Sequence, residues 1–414
     1  MIDGFFTSRW AARPGHLGAA AAPPAGFRLG GIACGVKSPG SSELDLGLVV
    51  SDVAGTVSAA RFCDSGVLAA PVVATRERCD LHALRAVVVN SGNANAATGD
   101  RGLEEAVRVQ EAAAAALGLH PREVAVASTG VIGVLLPGER IAAAVTQLAE
   151  RLSPNGMDDF AEAIKTTDAL DKHVRLQVAL PSGAVSLSAA CKGAGMISPQ
   201  FATMLCFIQT DATLTAASAD SLLGAAVGRS FDRVSVDGQL STNDTVILMA
   251  SGRSGVHVEP GSEDEELLGE ALDALALALA VRMVADGEGA RRIARVHVRG
   301  AGEESVSRVA RSVANSPLIK AALFGGDPNW GRIAQAIGAA LPGTAPLRFD
   351  IAIEGIAVAR DGAGIEHDTA ALARAVSGEE VLYEVDLPGE GAEAELFFSD
   401  LSYDYVKINA EYTT

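Results

Sequence analysis

Side chains that hold metals or build disulfides are scarce in this 414-residue chain, which has five cysteines and seven histidines. The cysteines (Cys34, Cys63, Cys79, Cys191 and Cys206) are odd in number and have no close pair. A disulfide framework and a thiolate metal cage are therefore excluded, and reduced thiols in a cytoplasm are the expectation. The histidines are scattered with no two at helical spacing, so no zinc site is expected. Basic charge is also short: 33 Lys and Arg stand against 51 Asp and Glu, a net charge of −18. Phosphate binding needs a basic face, which excludes nucleic acid as a partner, and the acidic balance mildly favours a cationic small molecule. Long apolar runs are missing too. The cleanest, 274–281, is closed by Asp273 and Arg282 and is too brief to cross a bilayer, so no membrane partner is expected. No basic-then-apolar signal opens the chain, no GxGxxG follows a strand-like run, and no GxxxxGK[ST] occurs.

What is present alternates strands with helices. Residues 1–25, rich in Ala, Pro and Gly, read as a flexible leader. Strand-like runs follow at 48–51, 56–60, 67–73 and 85–90, the last ending in an Asn- and Gly-rich loop over 91–100. A helix is predicted over 103–117, stopped by Gly118 and Pro121. Val124 opens another strand that ends at Ser128-Thr129-Gly130, and a helix is predicted from Pro137 to Leu152. The second half repeats the style, with a helix over 217–229 and a strand over 233–237. A capping box at Ser262-Glu263-Asp264-Glu265 opens a helix reaching Arg282. Strands at 295–299 and 349–353 and helices at 303–311 and 316–323 complete an α/β chain.

The strongest chemical signal is KGAGMISPQFATML at 192–205. Lys192, Gly193, Gly195 and Pro199 lead into Ala202 and Thr203, after which 204–208 turn apolar. On type alone Thr203 is a strand residue. Its hydroxyl becomes a competent nucleophile if the chain is cut before it and the freed α-amine serves as base. Such an amine titrates near about 8, within range for base work at neutral pH, and no His–Asp relay is then required.

Other residues carry a chemical reading beside an ordinary one. Thr129-Gly130, at a strand end, offers a hydroxyl and a backbone N–H to one oxyanion, or is a plain strand-to-helix turn. Lys192 offers a cation to a carboxylate or scissile carbonyl, or is a solvated lysine. Glu288, between two glycines, offers a carboxylate to a substrate ammonium, or is a surface turn. Thr166 and Thr167 offer hydroxyls to a carboxylate, or are a capping pair.

Seven further segments stand in one order along the chain: NSGNANAATGDRG (90–102), ASTGVIG (127–133), KTTDA (165–169), FDRVSVDGQLSTNDT (231–245), DGEGA (286–290), NSPLIKAALFGGDPNWGRI (315–333) and YVKINAEYTT (405–414). Together with 192–205 they resemble the ornithine acetyltransferase family from about Gly26 to the last residue. The resemblance implies a stacked-sheet α/β/β/α sandwich of the N-terminal-nucleophile-like type over 26–290, and a smaller C-terminal α/β region over 291–414 that completes the pocket. It implies self-cleavage between Ala202 and Thr203, the two chains assembling as an α2β2 heterotetramer. It also implies ping-pong transfer of acetyl from N2-acetylornithine to glutamate through an acetyl-Thr203 ester, in arginine biosynthesis and without a cofactor. Whether acetyl-CoA also serves as donor stays open. Thr129 and Gly130 then form the oxyanion site, and Thr166, Thr167, Lys192, Thr203, Glu288, Asn409 and Thr414 contact substrate. Segments 90–95 and 327–332 are read as structural walls of the site. Arg291-Arg292 departs from the family's usual Thr-Lys, and Gln239-Leu240 stands where the family often has an acidic or small residue. Two rival readings remain: a related amidohydrolase or aminopeptidase with water as acceptor, and an uncleaved protein that binds acetylated amino acids.

Overall fold

The strand Leu205–Thr210 has no exposed face, since all six of its residues are buried. A strand reads as a continuous apolar run when both of its faces are covered. Leu205 and Phe207 enter a core shared with Val49, Val87, Val89 and Ala125. Cys206 and Ile208 enter another, shared with Leu272, Leu275 and Leu279. The computed structural model, which describes residues 5–6, 8–198, 204–389 and 391–411, shows what lies on each side.

One sheet has six strands in the order Leu17–Ala19, His173–Leu180, Gly183–Lys192, Leu205–Thr210, Thr245–Ala250 and Val57–Phe62. A second has four, Phe27–Ile32, Leu46–Ser51, Ala86–Asn93 and Val124–Val131. The two sheets stack face to face, with the helix Met157–Ile164 contributing Phe160 edge-on to Phe207 at 5.7 Å between ring centres. Helices Ala70–Arg78, Gly99–Leu117 and Gly138–Ala149 cover the outer face of the four-stranded sheet. Helices Ala216–Gly228 and Glu263–Ala285 cover the outer face of the other. The order helix, sheet, sheet, helix is the expected α/β/β/α sandwich.

The C-terminal region has its own core on a seven-stranded sheet, packed by helices Glu303–Ala314, Pro317–Gly325 and Trp330–Ala340. Its strands run from Ile293 to Ser399, with one addition: Val234–Ser235, from the first part of the chain, pairs in parallel with Phe397 and Phe398. A boundary at 290 therefore cuts across one sheet. Among the described residues no helix is long and apolar enough to cross a membrane.

Several local readings are corrected. The run 67–73 is not a strand: Ala70–Arg78 is a helix with Pro71 in its first turn, where a missing N–H costs nothing and the fixed φ suits the helix. The 1–25 segment is not a free leader over its described part. Leu17–Ala19 pairs antiparallel with the strand His173–Leu180, Leu17 is buried, and Arg9 binds the Glu354 carboxylate through two nitrogens. The 233–237 strand shrinks to Val234–Ser235. At the Ser262 cap, the hydroxyl accepts the Glu265 N–H as predicted, but the Glu265 carboxylate reaches back to Gly261 N–H instead of Ser262.

Candidate active site

The site forms where strands from both sheets end. Thr129 and Gly130 close the strand Val124–Val131, where the parallel ladder to Ala86–Asn93 loses its regular register. Gly130 has φ +129°, and a Cβ there would lie 2.4 Å from the Gly92 carbonyl carbon, so no other residue fits without moving the neighbouring strand. Beside it the asparagines of the 90–95 loop stitch backbone to backbone. Asn90 Nδ2 donates to Asn93 O and Asn95 Nδ2 to Gly102 O, while Asn243 Nδ2 ties Ala94 O and Ser128 O together. That loop is a wall of the site, as read.

Lys192 is not a solvated loop lysine. It is the last residue of the strand Gly183–Lys192 and is 2 % exposed. Its Nζ donates to Thr166 Oγ1 at 2.7 Å and to Thr129 Oγ1 at 3.2 Å, and Asp168 lies 3.9 Å away. A hydroxyl that accepts from an ammonium keeps its own hydrogen free to donate elsewhere. Burial pulls the Lys192 pKa down, and Asp168 pulls it back up. Thr166 and Thr167 are not a capping pair; they follow the end of helix Met157–Ile164, after its C-cap Lys165.

Beneath these groups lies a charge network that the sequence reading passed over. Asp168 accepts from Lys172 Nζ at 2.6 Å and from Gly193 N–H at 2.7 Å. Lys172 also binds Asp286, which accepts the Ala169 and Leu170 N–H groups. Although burial disfavours its charge, Lys172 and Lys192 hold the Asp168 carboxyl well below the usual range. The network ties the 165–172 segment, the end of the strand carrying Lys192 and the 286–290 loop into one unit. Its signal was present as Asp168 and Lys172 at i, i+4, but only the fold shows Asp286 as the third member.

Glu288 is positioned by the same loop, its N–H donating to Ala194 O. A Cβ at Gly195 would come within 2.7 Å of the Glu288 carboxyl, so that glycine is what lets the carboxylate lie here. Asn409 Nδ2, from the helix Tyr403–Glu411, donates to Glu288 Oε2 at 2.7 Å. One pocket is lined by Thr129, Gly130, Thr166, Thr167, Lys192, Glu288 and Asn409, together with Ser241, Thr242 and Asn243. Ala202, Thr203 and Thr414 lie outside the described residues. The chain on either side of the first two is fixed: Asp237 accepts the Met196 and Ile197 N–H groups, and Asp244 accepts the Met204 N–H at 2.9 Å. The 327–332 segment is not a wall of this pocket. Asp327 to Gly331 line a separate cavity with His367 and Thr369.

Asp237 also links the site to a buried cation. Lys320, from helix Pro317–Gly325, donates to Ser399 O at 2.6 Å and sits 5.1 Å from the Phe398 ring centre. Burial pushes its pKa down to about 7, against the pull of Asp237 and Asp400. The unfolded chain holds this proton to about pH 10.4, so between about pH 7 and that value unfolding takes a proton up and rising pH opposes it. The Tm of the protein minus that of Lys320→Met should therefore rise from about pH 6.5 to about pH 9.5, by up to about 1.4 kcal/mol of stability per pH unit. A difference independent of pH would show that Lys320 is charged in the folded protein throughout.

The chain is thus a face-to-face α/β/β/α sandwich with hydroxyls, a buried lysine and a carboxylate gathered at its strand ends. The profile of the ArgJ family matches residues 28–414, and the chain belongs to that family. It is 42 % identical over 393 residues to the "Arginine biosynthesis bifunctional protein ArgJ" of Symbiobacterium thermophilum, covering 94 % of this chain and 98 % of that protein. It is 41 % identical over 398 residues to the protein of the same name from Rhodopirellula baltica, covering 94 % and 96 %. The solved structure of the Bacillus halodurans protein of that name aligns at 33 % identity over 49 % of this chain and 96 % of its own, with a TM-score of 0.46.

Proposed function

We propose that this protein is a self-cleaving acetyltransferase of arginine biosynthesis, which moves acetyl from N2-acetylornithine to glutamate through an ester on Thr203. The observation that carries the reading is the single pocket in which a buried ammonium, two hydroxyls bound to it and a carboxylate converge. A zwitterionic amino acid needs those partners: Lys192 with Thr166 or Thr167 for its carboxylate, and Glu288 with Asn409 for the ammonium of the ornithine side chain. In the first half-reaction the Thr203 hydroxyl attacks the acetyl carbonyl while the α-amine of Thr203 takes its proton. The oxyanion is held by Thr129, whose hydrogen Lys192 leaves free, and by Gly130. Ornithine leaves, glutamate enters the same pocket, and its amine takes the acetyl from Thr203.

The proposal includes cleavage between Ala202 and Thr203, an α2β2 assembly of the resulting chains, and a cytoplasmic site of action. All five cysteines are free thiols, which supports the last. The pocket holds either amino acid in turn, which suits a ping-pong exchange. Purified protein given N2-acetylornithine and glutamate should form N-acetylglutamate and ornithine in equal amounts. Release of acetate instead would make it an amidohydrolase, and no reaction with an intact chain would make it a binding protein. The same assay with acetyl-CoA and glutamate decides whether the second donor is used. Glu288→Gln should raise the KM for acetylornithine at least ~10-fold, the scale of losing one charge-assisted contact, with Tm unchanged. A wild-type KM would remove Glu288 from substrate binding.

A further inference from the structure

Two separate elements hold the Glu288 carboxylate in the pocket, and both are fastened to one oxygen of Asp237. The first is the turn 194–197. Its Ala194 carbonyl accepts the Glu288 N–H at 2.9 Å, and Gly195 lies against the Glu288 carboxyl itself. The next residue, Met196, lines the pocket with φ +52°, a left-handed backbone that a methionine keeps only where its surroundings compel it. Asp237 supplies that hold. Its Oδ2 accepts the Met196 N–H at 2.7 Å and its Oδ1 accepts the Ile197 N–H at 3.0 Å. The Ile197 carbonyl in return accepts the N–H groups of Val236 and Gly238 at 2.9 and 3.1 Å.

The second element is the helix Tyr403–Glu411. Asn409 Nδ2 donates to Glu288 Oε2 at 2.7 Å and to the Tyr405 carbonyl at 3.1 Å. The Tyr405 hydroxyl donates to Asp237 Oδ2 at 3.5 Å. The start of this helix is also seated on the 286–290 loop. Ser402 Oγ donates to Gly289 O at 2.7 Å, and a Cβ at Gly289, where φ is +69°, would lie 2.5 Å from Tyr405 N. The contacts close a ring: from Asp237 through Met196 and Gly195 to Glu288, then through Asn409 and Tyr405 back to Asp237. Asp237 itself is not among the residues that line the pocket. Burial raises its pKa against the pull of the Gln239, Met196 and Ile197 N–H groups, and the nearby Glu288 charge raises it further.

Resting on the reading of Glu288 as partner of the substrate ammonium, we propose that Asp237 is a positioning residue that fixes the Glu288–Asn409 pair for that ammonium without touching substrate. The ordinary task of such a residue is a turn, and Asp237 Oδ1 does accept the Gln239 N–H, two residues on, at 3.0 Å. That task needs one oxygen, whereas the ring uses the other. Asparagine at 237 fills the same space, and its one oxygen can still accept the Ile197 and Gln239 N–H groups. Its amide nitrogen then faces the Met196 N–H, donor against donor, and the turn beside Glu288 loses its hold. If Asp237 acts through Glu288, its effect on binding must vanish once Glu288 has lost its charge. Residues in one network show such coupling, while the effects of independent sites add.

The test is a double-mutant cycle in the full chain, with Asp237→Asn and Tyr405→Phe each made alone and together with Glu288→Gln. The KM and kcat for acetylornithine at saturating glutamate are taken per cleaved chain, counted by intact mass. Ornithine affinity is read by calorimetry and folding by Tm. Asp237→Asn should raise the KM for acetylornithine and the Kd of ornithine ~10-fold, the scale of losing one charge-assisted contact. Its kcat should stay within ~3-fold, because binding and not the chemical step is weakened. On the Glu288→Gln background the same substitution should add less than ~2-fold. Tyr405→Phe opens the ring only at its longest contact and should show the same pattern at ~3-fold, carrying the test if Asp237→Asn does not fold. Losses that disappear on the Glu288→Gln background support the proposal. Wild-type KM in every folded variant overturns it, as do rises of equal size on both Glu288 backgrounds. A lowered Tm with unchanged KM also overturns it and leaves Asp237 as a turn residue. If Glu288→Gln itself keeps the wild-type KM, or the wild type transfers no acetyl, the underlying reading of the site has failed instead.

Discussion

Replacing Thr203 by alanine is expected to leave a single chain of 42.2 kDa that transfers no acetyl, where the wild type gives two chains of 202 and 212 residues. One hydroxyl is asked to make both the cleavage ester and the acetyl ester, so both functions should fall together. Loss of a nucleophile in a covalent mechanism costs on the order of 10⁴-fold or more, which puts the variant at background. The wild-type chains should stay together after cleavage. The strand Gly183–Lys192, before the cut, pairs with Leu205–Thr210, after it, from Lys192 opposite Leu205 to Leu187 opposite Thr210. Separating them would expose Leu205, Phe207 and Ile208, each worth about 1.5–3 kcal/mol of burial. Intact-mass spectrometry of denatured wild type, beside size exclusion of the native protein, checks both points. One wild-type species with a blocked Thr203 nitrogen, or transfer by the alanine variant, would sink the reading.

The alternation of strands and helices was legible in the sequence because several strands carry clean apolar runs and the helices carry capping and stop signals, as Gly118 at +65° after helix Gly99–Leu117 shows, whereas the stacking of two sheets came from the family resemblance alone. The run at 67–73 was misread because a short apolar run ahead of the charged 76–78 stretch looks alike in a strand and in a first helical turn, and only Pro71 argued for the turn. The hairpin His173–Leu180 and Gly183–Lys192 went unread although its first strand alternates, because its second strand is buried on both faces near the site. Within the site, hydroxyl, lysine and carboxylate candidates were found from short glycine-flanked segments. Their arrangement was not: Lys192 looked like a loop residue, and nothing local showed that Thr129 and Thr166, 37 positions apart, would share its ammonium. Asp244, which holds the Met204 N–H, escaped notice for a similar reason. Its meaning lies in what surrounds it, and an aspartate after Ser-Thr-Asn reads as a turn. The 327–332 segment was assigned to the site on its turn chemistry, which describes local backbone and says nothing of distant neighbours.

Lys192→Met is expected to separate stability from activity. A buried lysine is a cost to folding whenever its charge is incompletely paired, and burial already pulls this one's pKa down. Methionine has similar length without the charge. Asp168 would not be left alone, because Lys172 Nζ and the Gly193 and Thr166 N–H groups still bind it. The Tm of the variant should therefore equal or exceed that of the wild type. Its kcat/KM with acetylornithine should fall ~10²- to 10³-fold, the range for deleting one preorganised donor from an acyl-transfer site, since the ammonium both attracts the substrate carboxylate and turns the Thr129 hydrogen outward. Self-cleavage should slow as well, because the same Thr129 hydroxyl would face the Ala202 oxyanion. Steady-state kinetics, a cleavage time course and a melting curve on one preparation decide the matter. A lowered Tm with wild-type kcat/KM would make Lys192 a structural residue and take the cation out of the proposed pocket.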